Sequence, residues 1–183
     1  MMFSIGLSRR FSSFKRDQRG VSAVEFAMLL PLMITLYLGT VEISQGVAIN
    51  RKVTLTTRTV ADLASQVSSI NSADMSNLLK ASAAVIAPFD TNQLKVTVSQ
   101  VKIDANGNAT IDWSETLNGT KRATGSSIAL PTALNVPDTQ LIFSEVSYNY
   151  TPTIGYVVTG SLNLADKIYM RPRLSDKVTY SPT

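Results

Sequence analysis

The hydrophobic pattern of this chain changes period twice. From Phe26 to Val41 no charged residue occurs, and these sixteen residues would form about 24 Å of helix, short of the roughly 30 Å hydrocarbon core of a bilayer. Extended back to Val21 the segment has twenty-one residues and about 31 Å, enough to span if Glu25 lies near one edge. Beyond Glu42 the apolar positions Val53, Val60, Leu63, Val67 and Ile70 recur at threes, fours and sevens, with Arg51, Lys52, Arg58 and Asp62 between them. That spacing predicts a continuing amphipathic helix. Thr54, Thr56, Thr57 and Thr59 weaken its intrinsic propensity, so packing must hold it. A second, short helix is predicted to start at an N-cap Ser72 with Asp74 in its first turn. Leu78, Leu79, Val85 and Ile86 form its apolar side, and Pro88 ends it.

After Pro88 the period becomes two. Leu94, Val96 and Val98 alternate, and Val101 and Ile103 resume one residue out of phase, which predicts a bulge near Ser99-Gln100. Asn106-Gly107 is a type I′ hairpin signal, and Ala109, Ile111 and Trp113 alternate after it. Residues 114–140, with Gly119, Gly125, Pro131 and Pro137, read as a long connection. Ile142, Val146, Tyr148 and Tyr150 predict a third strand, Ile168–Arg173 a fourth, and Val178–Tyr180 a short tail. Helices first and an antiparallel sheet after them make an α+β fold.

Composition narrows the chemistry. The 183 residues contain no Cys and no His, which excludes disulfides, thiolate or imidazole metal sites, and imidazole acid–base catalysis. The net charge of +4 lies in the first twenty residues, where Arg9, Arg10, Lys15, Arg16 and Arg19 stand against Asp17 alone. The rest carries twelve basic and twelve acidic residues, so no basic face points to nucleic acid. A basic leader before an apolar span is instead a cytoplasmic retention signal under the positive-inside rule.

Glu25 is the anomaly within the apolar segment. A carboxylate at the centre of a membrane helix costs about 2.5–3.5 kcal/mol on insertion scales, and less near an edge. If the chain is cut between Gly20 and Val21, Glu25 becomes the fifth residue and lies about one helical turn from a new α-amino group. The residues Arg19-Gly20-Val21-Ser22-Ala23-Val24-Glu25-Phe26-Ala27-Met28-Leu29-Leu30-Pro31, followed by Gly39-Thr40-Val41-Glu42, resemble the prepilin cleavage pattern of type IV pilins. More specifically, they resemble the TadE-like (TadE/TadG) minor pilins or pseudopilins of the tight-adherence (Flp, type IVb) pilus. The resemblance is specific over roughly residues 15–60. Phe26 stands where the major pilins of that system usually carry Tyr, which favours a minor or accessory component.

The resemblance implies a structural pilus-assembly component, not an enzyme and without a cofactor, held in the bacterial inner membrane with its N-terminus cytoplasmic and its C-terminal domain periplasmic. It implies cleavage at Gly20/Val21 by a prepilin peptidase and pairing of Glu25 with a subunit N-terminus to fix register. The implied partners are other pilins or pseudopilins through the transmembrane helix, an inner-membrane pilus platform with its assembly ATPase, and the lipid bilayer. Pro31 removes one backbone donor that neighbouring helices can compensate. Gly39 and Gly46 share nearly one helix face and would admit another helix, without forming GxxxG. The expected divisions are a leader at 1–20, a transmembrane TadE-like segment at 21–49, the amphipathic and short helices at 50–88, and an antiparallel β domain at 89–183.

Two other readings of the N-terminus stay open: an uncleaved single-span envelope scaffold or adhesion protein, and a secreted binding module cut after Gly46-Val47-Ala48 and starting at Ile49. Asp104 to Glu115 places oxygen-bearing side chains at EF-hand positions, but Ala109 stands where that loop needs Gly, and the flanks read as strands. A polar hairpin is the simpler expectation, with weak exchangeable Ca²⁺ as the alternative. Trp113, Tyr148, Tyr150, Tyr156 and Tyr169 would make an adhesive surface if exposed, but aromatics at period two more often form cross-strand core pairs. No G-x-S-x-G elbow, P-loop or dinucleotide fingerprint occurs.

Overall fold

One helix sets the length of the molecule. The computed structural model describes residues 19–152 and 160–182, so the leader residues Arg9, Arg10, Lys15 and Arg16, and Tyr156, lie outside the described residues. Helix α1 runs unbroken from Arg19 to Ser65, with Pro31 inside it. Its β-branched content is accommodated locally: the hydroxyls of Thr35, Thr40, Thr57 and Thr59 donate to the carbonyls of Pro31, Leu36, Val53 and Leu55, at 2.8–2.9 Å. These bonds satisfy the hydroxyls within the helix instead of against it.

The two halves of α1 meet different surroundings. Residues 20–34 are all exposed, whereas Ile49, Val53, Val60, Ala61 and Ala64 are buried. The expected amphipathic face is corrected at its far end. Leu63 is exposed and the helix stops at Ser65, so Val67 and Ile70 are not on it. Small Ala61 and Ala64 make the close contact instead.

The short strand β1 (Ser69–Asn71) and helix α2 (Ser72–Ala83) follow. The N-cap is Asn71, one residue before the expected Ser72; its side-chain oxygen accepts the Asp74 N–H at 2.8 Å. Asn serves as well as Ser there, and Ser72 is the first helical residue. A 3₁₀ turn at Ala84–Ile86 carries the chain to Pro88.

Strands β2 (Leu94–Ile103), β3 (Ala109–Leu117), β4 (Gln140–Tyr150) and β5 (Leu162–Met170) form an antiparallel sheet in the order β3-β2-β4-β5. β5 begins six residues before the expected Ile168, because Leu162 and Leu164 already alternate toward the helices. The short β6 (Thr179–Ser181) pairs in parallel with β1. The connection from β2 to β3 is not type I′: Gly107 has φ +82°, and Asn106 has no positive φ. Asp104 explains this, since its Oδ1 accepts the N–H groups of Asn106 and Asn108 and its Oδ2 accepts Asn108 Nδ2. These bonds support an ordinary type I turn closed by a glycine in the left-handed region.

The bulge lies in β3, not β2. Gln100 faces Trp113 and Val101 faces Ile111, so Asp112 is the extra residue. β2 never changes phase; its even residues point to the helices and its odd residues away. Leu94, Val96 and Val98 join the core under α1 and α2, while Val101 and Ile103 join a second cluster on the opposite face. Because Asp112 shifts the alternation, Ile111 enters the second cluster and Trp113 the first. The long connection after β3 covers that second cluster with Ile128, Leu130 and Leu134. It also pairs along the β3 edge through Ile128 N to Ala109 O at 3.0 Å and Ile111 N to Ser126 O at 2.9 Å.

The tail fastens the two layers. Trp113 Nε1 donates to Val178 O at 2.9 Å, Gln100 Oε1 accepts the Val178 N–H at 2.7 Å, and Val178 is fully buried. Arg173 N donates to Ser65 O at 2.8 Å, and its guanidinium pairs with Asp62. Trp113→Phe keeps a ring in the core but strands a buried carbonyl, so denaturant unfolding should show a loss of about 1–3 kcal/mol. An unchanged midpoint would remove Val178 from the ties that hold the tail.

Candidate functional site

The predicted site residues all lie on α1. Gly20 and Val21 are in its first turn, both exposed, and a Cβ at Gly20 would meet nothing within 4 Å. Glu25 is exposed about one turn further on, at the i+4 position from Val21. The surrounding surface is apolar: Val21, Phe26, Leu29, Leu32, Ile34 and Leu36 are each 49–63% exposed.

Magnitudes decide what such a surface favours. Each large apolar side chain is worth about 1.5–3 kcal/mol when removed from water, so this half of α1 represents on the order of 20 kcal/mol. One carboxylate costs at most about 2.5–3.5 kcal/mol. The helix is long and apolar enough to cross a membrane, and Glu25 is too small a penalty to prevent it.

The upper limit of the apolar segment is set by the protein itself. Gly39 and Glu42 are buried, and Tyr150 Oη donates to Glu42 O at 3.2 Å. Burial, with a smaller contribution from the Glu42 charge, raises the Tyr150 phenol above its ordinary pKa. The apolar stretch that the domain leaves uncovered is therefore Gly20 to Leu38, about 28 Å of helix. Gly46 also turns inward: a Cβ there would lie 3.5 Å from Tyr150 Cε1. The close approach that Gly46 permits is made by its own β4 strand. Sequence reasoning missed the Tyr150–Glu42 contact, although Glu42 directly follows the apolar run and Tyr150 ends an alternating one.

The other candidates disperse. Trp113, Tyr148 and Tyr150 are core residues, and Tyr169 stacks on Phe143 with ring centroids 4.4 Å apart, so the cross-strand core reading of these aromatics holds. Across the would-be calcium loop, Asp104 is engaged by the hairpin, Asp112 accepts Gln100 Nε2 at 2.8 Å, and Glu115 pairs with Lys121 at 2.6 Å. The side-chain bond from Asn108, then its backbone N–H, holds the Asp104 carboxyl below its usual pKa. Among the described residues no cluster of three or more acidic groups could hold a metal ion.

Gly46→Ala places a methyl at ordinary contact distance from Tyr150 and removes a glycine from a helix interior, so its unfolding free energy should equal the parent's or exceed it by up to about 1 kcal/mol. Gly46→Leu must displace the Tyr150 ring and should cost about 1–3 kcal/mol, as overpacking does. Equal stability of the two variants would remove the contact from the account.

Residues 20–62 match the family model described as TadE-like protein, a match that ends three residues before α1 does and leaves the β domain outside it. No curated protein and no solved structure matches the chain. Over residues 20–62, the segment that carries the apolar half of α1, the chain is thus similar to TadE-like proteins.

Proposed function

We propose that this protein is a minor pilin or pseudopilin-type subunit for assembly of a tight-adherence (Flp, type IVb) pilus. The exposed apolar half of α1 carries the reading: a surface that size needs lipid or other helices to cover it. Residues 20–38 anchor the subunit in the inner membrane, the basic leader stays cytoplasmic, and the α+β domain stands in the periplasm. A prepilin peptidase cuts between Gly20 and Val21. The new amine and Glu25, of the same or a neighbouring subunit, neutralise each other. A buried pair of this kind serves register more than stability. Packing among transmembrane helices of other pilins or pseudopilins, delivered through the inner-membrane platform, is then the chain's activity.

An uncleaved, single-span scaffold is the second reading. The observation in its favour is that the Gly20–Val21 bond sits inside the first turn of a helix, not in an extended segment. The secreted module starting at Ile49 finds less support, since Ala48 lies mid-helix and Glu42 and Gly46 are already packed on Tyr150.

Protein extracted from its native membrane should begin at Val21 by N-terminal sequencing and intact mass, and Glu25→Ala should insert normally yet abolish assembly. A start at Met1 or Met2 would favour the scaffold. Normal piliation with Glu25→Ala would end the register role.

A further inference from the structure

The outward face of the sheet, the one turned away from α1, is divided in two. The 118–139 connection covers the half carrying Val101, Ile103, Ile111 and Phe143. The other half, where β2, β4 and β5 run toward Lys95, Ser147 and Lys167, is an open trough of about 530 Å³. A second recess of about 320 Å³ shares Lys95 and Ser147 and continues past Asn149 and Asn163. A volume of several hundred Å³ is in the range of ordinary ligand sites.

Side-chain size makes the depression. Thr97, Ser147 and Ala165 form its floor, and the register Lys95↔Ser147↔Ala165 beside Thr97↔Glu145↔Lys167 puts the two lysines at opposite corners. Two strand spacings and a two-residue offset separate those corners by about 12 Å. At Gly119 on the wall, a Cβ would lie 2.6 Å from Thr116 Oγ1, so that side of the trough cannot grow inward without a shift.

The charge is unbalanced. Among the described residues neither Lys95 nor Lys167 has a carboxylate within salt-bridge distance. Glu145, the carboxylate on the floor, is held by Arg122 through Nε at 2.6 Å and Nη2 at 2.7 Å. Arg122 itself lies over the Phe143 ring at 5.3 Å, which fixes that guanidinium away from the trough centre. Asp166 also lines the trough, but its place opposite Val146 puts it on the helix-side register of β5, and its Oδ1 accepts the Lys167 N–H. Asn149 and Asn163, directly paired across β4 and β5, extend the site with amide donors and acceptors. Among the described residues no aromatic side chain lines either recess, so these residues offer bases and neutral sugar rings no stacking platform.

We infer that this trough binds a linear acidic polysaccharide, with Lys95 and Lys167 each taking one carboxylate and Ser147, Asn149 and Asn163 taking hydroxyls. The match is one of charge and hydrogen bonding: separated cations for anions that recur along a chain, with polar groups between them. The site is a property of the folded domain, so its test is independent of processing and pilus assembly.

The experiment is calorimetric titration of the full-length protein in detergent with polygalacturonate, dextran and duplex DNA. Polygalacturonate should bind, with affinity falling as salt rises, while dextran and DNA should not bind measurably at the same concentrations. Lys95→Ala with Lys167→Ala should weaken binding by about tenfold or more, as loss of charge-assisted hydrogen bonds does. Ala165→Gln keeps the charge but fills the floor and should weaken it similarly, while Lys80→Ala, on exposed α2, should leave it unchanged. Unaltered thermal unfolding of the variants separates binding from folding. Absence of polygalacturonate binding, equal binding of DNA, or insensitivity to both the lysine pair and Ala165→Gln would overturn the inference.

Discussion

Continuity of α1 is the constraint on which the rest of the structure depends. One helix of forty-seven residues carries an apolar surface for its first turns and a core-facing stripe for its last, with no linker between them. The domain is therefore not tethered to the apolar segment but built onto it. Val53, Val60 and Ala64 are in the same core as Leu94, Val98 and Val146, so unwinding the lower half of α1 would open the sheet. The boundary between the two surroundings is defined by contacts: Tyr150 reaches the Glu42 carbonyl and lies beside Gly46, which places the end of β4 where the exposed apolar stretch stops.

This arrangement explains the division of labour in the β domain. One face of the sheet is committed to α1 and α2 and cannot bind anything else. The other is half closed by a loop with its own apolar cluster, and among the described residues the remainder is left open. The bulge at Asp112 makes both faces work, because it sends Ile111 to one cluster and Trp113 to the other. Trp113 then meets Val178 and stacks near Tyr180, with ring centroids 5.6 Å apart, and the tail closes back onto the end of α1. Helix, sheet and tail thus form a closed set of contacts beginning and ending near Asp62 and Ser65.

Much of this was legible in the sequence, and the gaps have physical causes. The apolar run, the change to period two after Pro88 and the Asn-Gly turn identify the α+β order correctly. The phase break near Ser99-Gln100 predicts a bulge there because a sheet with one buried face keeps its apolar residues in phase. Here two faces are buried at different points along one strand, so the apolar positions change sides while the strand does not. The pattern Ala109, Ile111, Trp113 looks regular for the opposite reason, since the inserted Asp112 is hidden inside an unbroken alternation. The Asn106-Gly107 signal gave the hairpin but not its type, which the Asp104 side chain decides. At the candidate site, Gly20, Val21 and Glu25 could be found from spacing and resemblance. The inward turn of Gly46 could not, because its partner Tyr150 is distant in sequence.

The central claim is that a single helix is shared between lipid and domain, with the changeover near Gly39–Glu42. The absence of Cys from the chain permits its direct measurement. Single cysteines introduced along residues 21–58, in native membranes, would be tested with a membrane-impermeant thiol reagent. The account predicts no labelling at exposed helix positions up to about Leu36 and strong labelling at Arg51, Leu55 and Arg58. Uniform labelling from Val21 onward would contradict it, because the apolar half of α1 would then lie in water.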